Sequence, residues 1–191
     1  MPRNPPTRRA GVRQAKHTVL VYCGGVRTEP EYLDALRLEH RNNAVSVRIV
    51  AEGADPERLV RRAAGHRNRQ PGGFDEVWCV TDVDEFDLTR AVALARKERV
   101  SLAVSNPCFE LWLLLHHADC TSHCTGYDDV ANRLRKHVPG YDKCRLDFAA
   151  TYREKVPAAV ERARKLDPTG KEFTANPSTN VWQLVERIRA S

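Results

Sequence analysis

The run Asp82-Val83-Asp84-Glu85-Phe86-Asp87 places four carboxylates directly after the apolar stretch Phe74 to Thr81. On an extended segment, residues i and i+2 point the same way, which brings the Asp82 and Asp84 carboxylates together. Two close carboxylates repel unless a cation or a proton joins them. Mg²⁺, or Mn²⁺ in its place, suits such a pair, because it takes one or two carboxylates and completes its shell with water and phosphate oxygens. The competing reading needs no metal. Asp87 caps the helix that follows, and its neighbours are merely favoured near that helix's positive end. A bare D-x-D does not decide between them.

Further groups could join this chemistry. Glu110 lies inside FELWLLL, where a carboxylate among large apolar side chains needs a partner. It either pairs with Lys143 or another base, or extends the acidic site. Asn106 opens the same helix. Lys143 and Arg145, after Gly140-Tyr141, either present positive charge to a phosphate or belong to a solvated loop. Asn176-Pro177-Ser178-Thr179 reads as a helix start, with Ser178 or Thr179 as cap. Between residues 116 and 124, His116, Cys120 and Cys124 would share one face of a helix and could hold zinc. Thr121-Ser122 argue for a loop there, and no second C-x-x-C accompanies them.

Elements that would position these groups can be read from periodicity. Apolar, β-branched runs predict strands at His17–Cys23, Val45–Ala51, Phe74–Thr81 and Val100–Ser105. Helices are predicted between them: one capped by Thr28 with Pro30 in its first turn, one opened by Asp55-Pro56, and one over Leu88–Arg99 capped by Asp87. An apolar helix follows at Phe109–His116. This alternation predicts an α/β fold, a mostly parallel four-stranded sheet flanked by helices. Residues 117–191 read as a mostly helical extension of the same domain, with helices near Tyr127–His137, Phe148–Leu166 and Ser178–Ala190 and no strand.

Composition bounds the function class. Of the net charge of +6, residues 1–16 supply +5 through four arginines and Lys16, and the remaining chain holds 26 basic and 25 acidic side chains. A uniformly basic nucleic-acid surface is therefore not indicated. A flexible basic arm on a balanced body at 17–191 is expected, either adding salt-sensitive phosphate affinity or merely solvated. The longest apolar run, Leu111 to Leu115, is too short to span a bilayer. No leader pattern opens the chain, so a cytoplasmic protein with reduced cysteines and no membrane partner is expected. Cys23 and Cys79 read as small core residues.

Several long stretches resemble the RloB-like family, whose fold is related to the Toprim domain of topoisomerases, primases and some nucleases. They are VLVYCGGVRTEPEYL (19–33), DEVWCVTDVDEF (75–86), SNPCFELWLLLHH (105–117), GYDK (140–143) and NPSTNVWQLV (176–185), in the family's order. The resemblance implies a Toprim-like fold and metal-dependent phosphodiester cleavage, often in phage-defence loci. It matches Asp82 and Asp84 to the D-x-D metal ligands, and Thr28-Glu29-Pro30, Asn106, Glu110 and Lys143 to other recurrent positions. One departure stands out. The family usually has Glu after the cysteine that ends the first strand, where this chain has Gly24. Glu29 or Glu52 could reach into the same space.

The expected function is a Mg-dependent nuclease-like hydrolase acting on DNA or RNA. Asp82 and Asp84 hold the metal, Glu29 or Glu110 orients water, and Asn106, Lys143 and Arg145 hold substrate. The alternative is a non-catalytic Toprim-like binding or regulatory subunit that has lost the first-strand Glu and works with an ATPase encoded nearby. A zinc-stabilised nucleic-acid-binding module is a third reading.

Overall fold

In the computed structural model, which describes residues 16–40, 44–83, 86–171 and 173–190, the four apolar runs lie side by side as parallel strands. They are β1 (His17–Cys23), β2 (Val45–Ala51), β3 (Glu76–Asp82) and β4 (Ser101–Asn106), in the spatial order β2-β1-β3-β4. Val19, Val21 and Cys23 of β1 enter one core, while Leu20 and Tyr22 enter another. The period of two thus distributes one strand between both faces of the sheet.

Strand order also decides which helix covers which face. The crossover from β1 to β2 runs in one direction and the crossovers from β2 to β3 and β3 to β4 in the other. Right-handed connections then put the first helix on the opposite face from the next two. Accordingly, α1 (Thr28–Glu39) packs Tyr32, Leu33 and Leu36 against Val19 and Val21. Helices α2 (Pro56–Arg69) and α3 (Thr89–Glu98) pack Leu59, Val60, Ala63 and Ala95 against Leu20, Cys79 and Leu102. Asp55 caps α2 by accepting from the Arg58 N–H at 3.0 Å, and Asp87 accepts from the Thr89 N–H at 2.9 Å at the start of α3.

The remaining helices all join the α1 face. They are α4 (Glu110–Leu115), α5 (Tyr127–Arg135), α6 (Phe148–Thr151), α7 (Val156–Leu166) and α8 (Val181–Arg189). Every residue of α4 is buried, as expected of a helix that is apolar on all sides. The helix expected over Phe148–Leu166 is divided by a 3₁₀ turn at Arg153–Lys155, and α7 restarts with Pro157 in its first turn. A proline has no N–H to continue the ladder, and the first turn is where that loss is tolerated.

The sheet has five strands rather than four. Ser178–Thr179 form β5, antiparallel to the end of β4, so the helix expected from Ser178 starts instead at Val181. Thr179 still contributes at that start, its hydroxyl accepting from the Val181 N–H at 3.4 Å. Beyond β5 the edge of β4 is completed by one side chain. Asn180 accepts from the Val104 N–H through Oδ1, and its amide donates to the carbonyls of Leu102 and Gly170, each at 2.9 Å. Asn180 is 1% exposed. Substituting Ala strands three buried backbone groups, so Asn180→Ala is expected to destabilise the fold by about 3 kcal/mol in urea unfolding.

Candidate functional site

The chain moves outward in opposite directions from β1 and β3, so the crevice at their carboxyl ends is the switch point where α/β sheets bind ligands. A cleft of about 420 Å³ opens there. Its walls bring together Glu29 from α1, Asp82 from the end of β3, Glu110 from α4, and Lys143 from the loop before α6. These are residues from four separate parts of the sequence, converging because each sits at the same rim of the sheet.

Glu29 is held in an unusual seat. The turn after β1 is Gly24-Gly25, and the Gly25 N–H donates to Glu29 Oε1 at 3.1 Å. A Cβ built on Gly25 would fall inside the Glu29 carboxylate. The bareness of Gly25 therefore admits the side chain, whereas a Cβ on Gly24 would meet the Val80 carbonyl, the Thr81 hydroxyl and the Ala54 carbonyl at 3.3, 3.5 and 3.7 Å. Glu29 is 7% exposed. Burial pushes its pKa above the usual carboxylate range and the Glu110 carboxylate adds to this, against hydrogen bonds from the backbone of Glu29 itself and of Gly25.

Glu110 finds its partner in Tyr141, whose hydroxyl donates to Oε1 at 2.9 Å. The partner demanded by a carboxylate in FELWLLL is thus a buried phenol rather than Lys143. Burial first, and then the charge of Glu110, raise the pKa of Tyr141, of Tyr127 and of the Cys108 thiol, to which Asp82 also contributes. Lys143 lies over the Tyr127 ring at 5.2 Å. Thr28 is the first residue of α1 rather than its cap, and its hydroxyl donates to the Lys143 carbonyl at 3.0 Å. That bond ties the Lys143 loop to the helix that carries Glu29.

Other expected residues lie elsewhere. Asp84 and residues 1–15 fall outside the described residues. Asn106 is turned away from the carboxylates, its amide donating to the Phe173 carbonyl at 3.2 Å on the α3 side. Arg145 is exposed and does not line the cleft. Glu52 is ion-paired with Arg62 and does not line it either. Nothing in the sequence marks Tyr141 beyond its place in GYDK, and nothing marks Gly25 as the seat of a side chain.

The family described as RloB-like protein matches residues 19–188, nearly the whole body of the chain. The chain belongs to the RloB-like family. Within this RloB-like fold, the stretch 19–33 supplies β1, the Gly24-Gly25 turn and Glu29; 75–86 supplies β3 and Asp82; 105–117 supplies Glu110. The GYDK stretch supplies Tyr141 and Lys143, so segments distant in sequence meet at one cleft. No curated protein and no solved structure matches the chain. No helix among the described residues is long and apolar enough to cross a membrane.

Among the described residues no three His, Cys, Asp or Glu side chains form a metal cage. His116, grouped with Cys120 and Cys124 in the zinc reading, spends both ring nitrogens inside the core. Nδ1 meets the Trp112 carbonyl at 2.9 Å and Nε2 the Tyr32 hydroxyl at 3.0 Å. Cys120 and Cys124 approach each other, Sγ to Sγ, at 3.5 Å in the stretch between α4 and α5.

Proposed function

We propose that this cleft hydrolyses phosphodiester bonds in nucleic acid with the help of a divalent cation, within a Toprim-like fold. The observation that carries the reading is the meeting of Glu29, Asp82 and Glu110 with Lys143 in one cleft at the switch point of the sheet. An all-oxygen donor set suits Mg²⁺ or Mn²⁺, which needs only one or two carboxylates from the protein and takes its other ligands from water and phosphate. Asp82, together with Asp84, would hold the ion, which when bound polarises a phosphate oxygen and offsets its charge.

The chain's own groups divide the remaining work. Glu29, with its raised pKa, is the stronger base of the ordinary carboxylates, and it accepts the proton of the attacking water. Tyr141 fixes the orientation of Glu110 through the 2.9 Å hydrogen bond, leaving the other carboxylate oxygen to align that water. Lys143 stands at the wall to meet a phosphate oxygen. Glu29 supplies a carboxylate to the cleft from the first turn of α1, which favours the hydrolase over the non-catalytic subunit working with an ATPase. A setting in phage defence remains the expectation carried by the family resemblance.

The test is cleavage of DNA and of RNA by the full chain with Mg²⁺ or Mn²⁺ against EDTA. Cleavage that needs the cation and is lost in the Asp82→Ala, Asp84→Ala double variant supports the assignment. A double variant as active as the wild type overturns it. Gly25→Ala provides a sharper probe, because Gly25 lacks the left-handed backbone that would strain alanine. The methyl group displaces the Glu29 carboxylate and little else. Cleavage is expected to fall about a hundredfold, the scale of losing a positioned base, with near-wild-type circular dichroism.

A further inference from the structure

A second concavity adjoins the carboxylate cleft across the end of β3. Asp82 lines the first, and the next residue, Val83, lines a cavity of about 600 Å³ with Phe86, Leu88, Val92, Arg96 and Phe173. Val92, Arg96 and Phe173 also wall a further cavity of about 450 Å³ that continues along α3 toward Lys171. The two together make a trough. Its floor is apolar, and Phe86 stands at its upper end with 48% of its surface exposed.

Among the described lining residues, cations outnumber acids. Arg96 and Lys171 line it and are exposed. Asp87 is the one acid among the described lining residues; it stays ionised, held by the backbone N–H and the hydroxyl of Thr89 at 2.9 and 2.6 Å. An apolar floor with an exposed aromatic ring and a cationic rim complements one kind of polymer: a strand whose bases are unstacked from a partner and whose backbone is anionic. Duplex nucleic acid keeps its base faces covered and has nothing to place on Phe86 or on the floor.

We propose that this trough is the track for an unpaired nucleic-acid strand, with a base stacked on Phe86 and the backbone running past Arg96 toward Asp82. The inference rests on the phosphodiesterase reading only for the direction of the strand, since binding itself needs no chemistry. It narrows the substrate of the carboxylate cleft to single-stranded DNA or RNA, or to an unpaired segment within a folded one.

The experiment measures fluorescence anisotropy of labelled single strands and hairpin duplexes of about 12 nucleotides, in EDTA, with the full chain. Phe86→Ala and Arg96→Ala are each expected to weaken single-strand binding roughly tenfold. Duplex binding through other surfaces, the basic arm among them, should stay unchanged. Arg96→Ala should also lower the slope of log affinity against log salt by about one. An abasic oligonucleotide should lose the sensitivity to Phe86→Ala. Wild-type affinity for single strands in both variants overturns the proposal, as does loss of duplex binding to the same extent. Cleavage assayed separately with Mg²⁺ keeps the two readings apart. The expected binding pattern without any cleavage leaves the track standing and removes the hydrolase. Glu29-dependent cleavage with both variants binding normally removes the track alone.

Discussion

Glu29→Gln is expected to abolish cleavage while making the folded protein more stable at neutral pH. The amide keeps the oxygen that accepts from the Gly25 N–H, so the seat of the side chain is preserved. What disappears is the base, a loss of about a hundredfold or more. Stability moves the other way for an electrostatic reason. Burial and the neighbouring Glu110 raise the pKa of Glu29 above its unfolded value, so in that window the folded chain binds more protons than the unfolded one. Stability therefore falls as pH rises from the ordinary carboxylate range through the raised pKa, and the full penalty of an ionised Glu29 is present above it. Glutamine never ionises. Thermal melts without divalent cation should show the variant more stable than wild type at pH 7 to 8, with the difference vanishing below about pH 4, near the ordinary carboxylate pKa. Added Mg²⁺ should raise the wild-type melting temperature more than that of the variant. Equal melting curves across the whole pH range would mean that Glu29 is not held against its own charge.

Such an opposition between activity and stability, once measured, would mark a site rather than a structural cluster. Elsewhere in the fold, charges are paired or capped: Asp55 and Asp87 serve helix starts, and Glu52 has Arg62. At the rim of β1 and β3, by contrast, Glu29 and Glu110 lie close enough for one to raise the pKa of the other, and the neutral groups around them are shifted in the same direction. A fold tolerates such a concentration of negative charge where something positive is meant to arrive.

Much of the frame could be read from residues in order. Val45–Ala51 was expected as a strand and is one over those same bounds, because Val45, Val47 and Ile49 alternate with Ser46 and Arg48. The two acidic caps were legible because Asp-Pro and Asp-Leu-Thr announce helix starts with local chemistry. The fifth strand was not legible. Two residues carry no periodicity, and Ser178-Thr179 look the same whether they cap a helix or pair with Ser105 and Asn106. The site divided in the same way. Asp82 could be found because it opens an acidic run at the end of an apolar strand, and Glu110 because a carboxylate inside FELWLLL is odd. Asn106 lies away from the carboxylates, a placement the sequence could not show, since a strand end does not reveal which side of the sheet its side chain takes. The function of Gly25 depends on a carboxylate four residues later folding back onto its N–H, a contact that only three dimensions disclose.

Acid should unfold this protein through His116. The imidazole is 2% exposed at the end of α4, ringed edge-on by Tyr32, Trp112 and Tyr152 at 5.5, 5.1 and 5.2 Å between centroids. Neutral histidine fits this place completely: Nδ1–H donates to the Trp112 carbonyl and Nε2 accepts from the Tyr32 hydroxyl. An imidazolium would turn Nε2 into a second donor facing a hydroxyl that already donates. Burial, opposed by the Trp112 hydrogen bond, accordingly pushes the pKa down to about 3. The unfolded chain therefore takes up a proton that the folded chain refuses. Stability is fully present above about pH 6.5 and drains away as pH falls toward 3, by something of the order of 4 kcal/mol, a large share of what a domain holds. Urea midpoints measured from pH 7 to pH 4 should fall steeply for the wild type. In the Tyr32→Phe, His116→Phe double variant, both ends of the Nε2 hydrogen bond become apolar and His116 no longer titrates, so the profile should become shallower even though the Trp112 carbonyl loses its donor; what slope is left includes that of His117, whose pKa burial pushes down to about 4. A wild-type profile as flat as that of the double variant would place the proton on His116 in the folded state. The same commitment of both nitrogens is why zinc could recruit this imidazole only by breaking into the core that α1, α4 and the Tyr152 turn build around it.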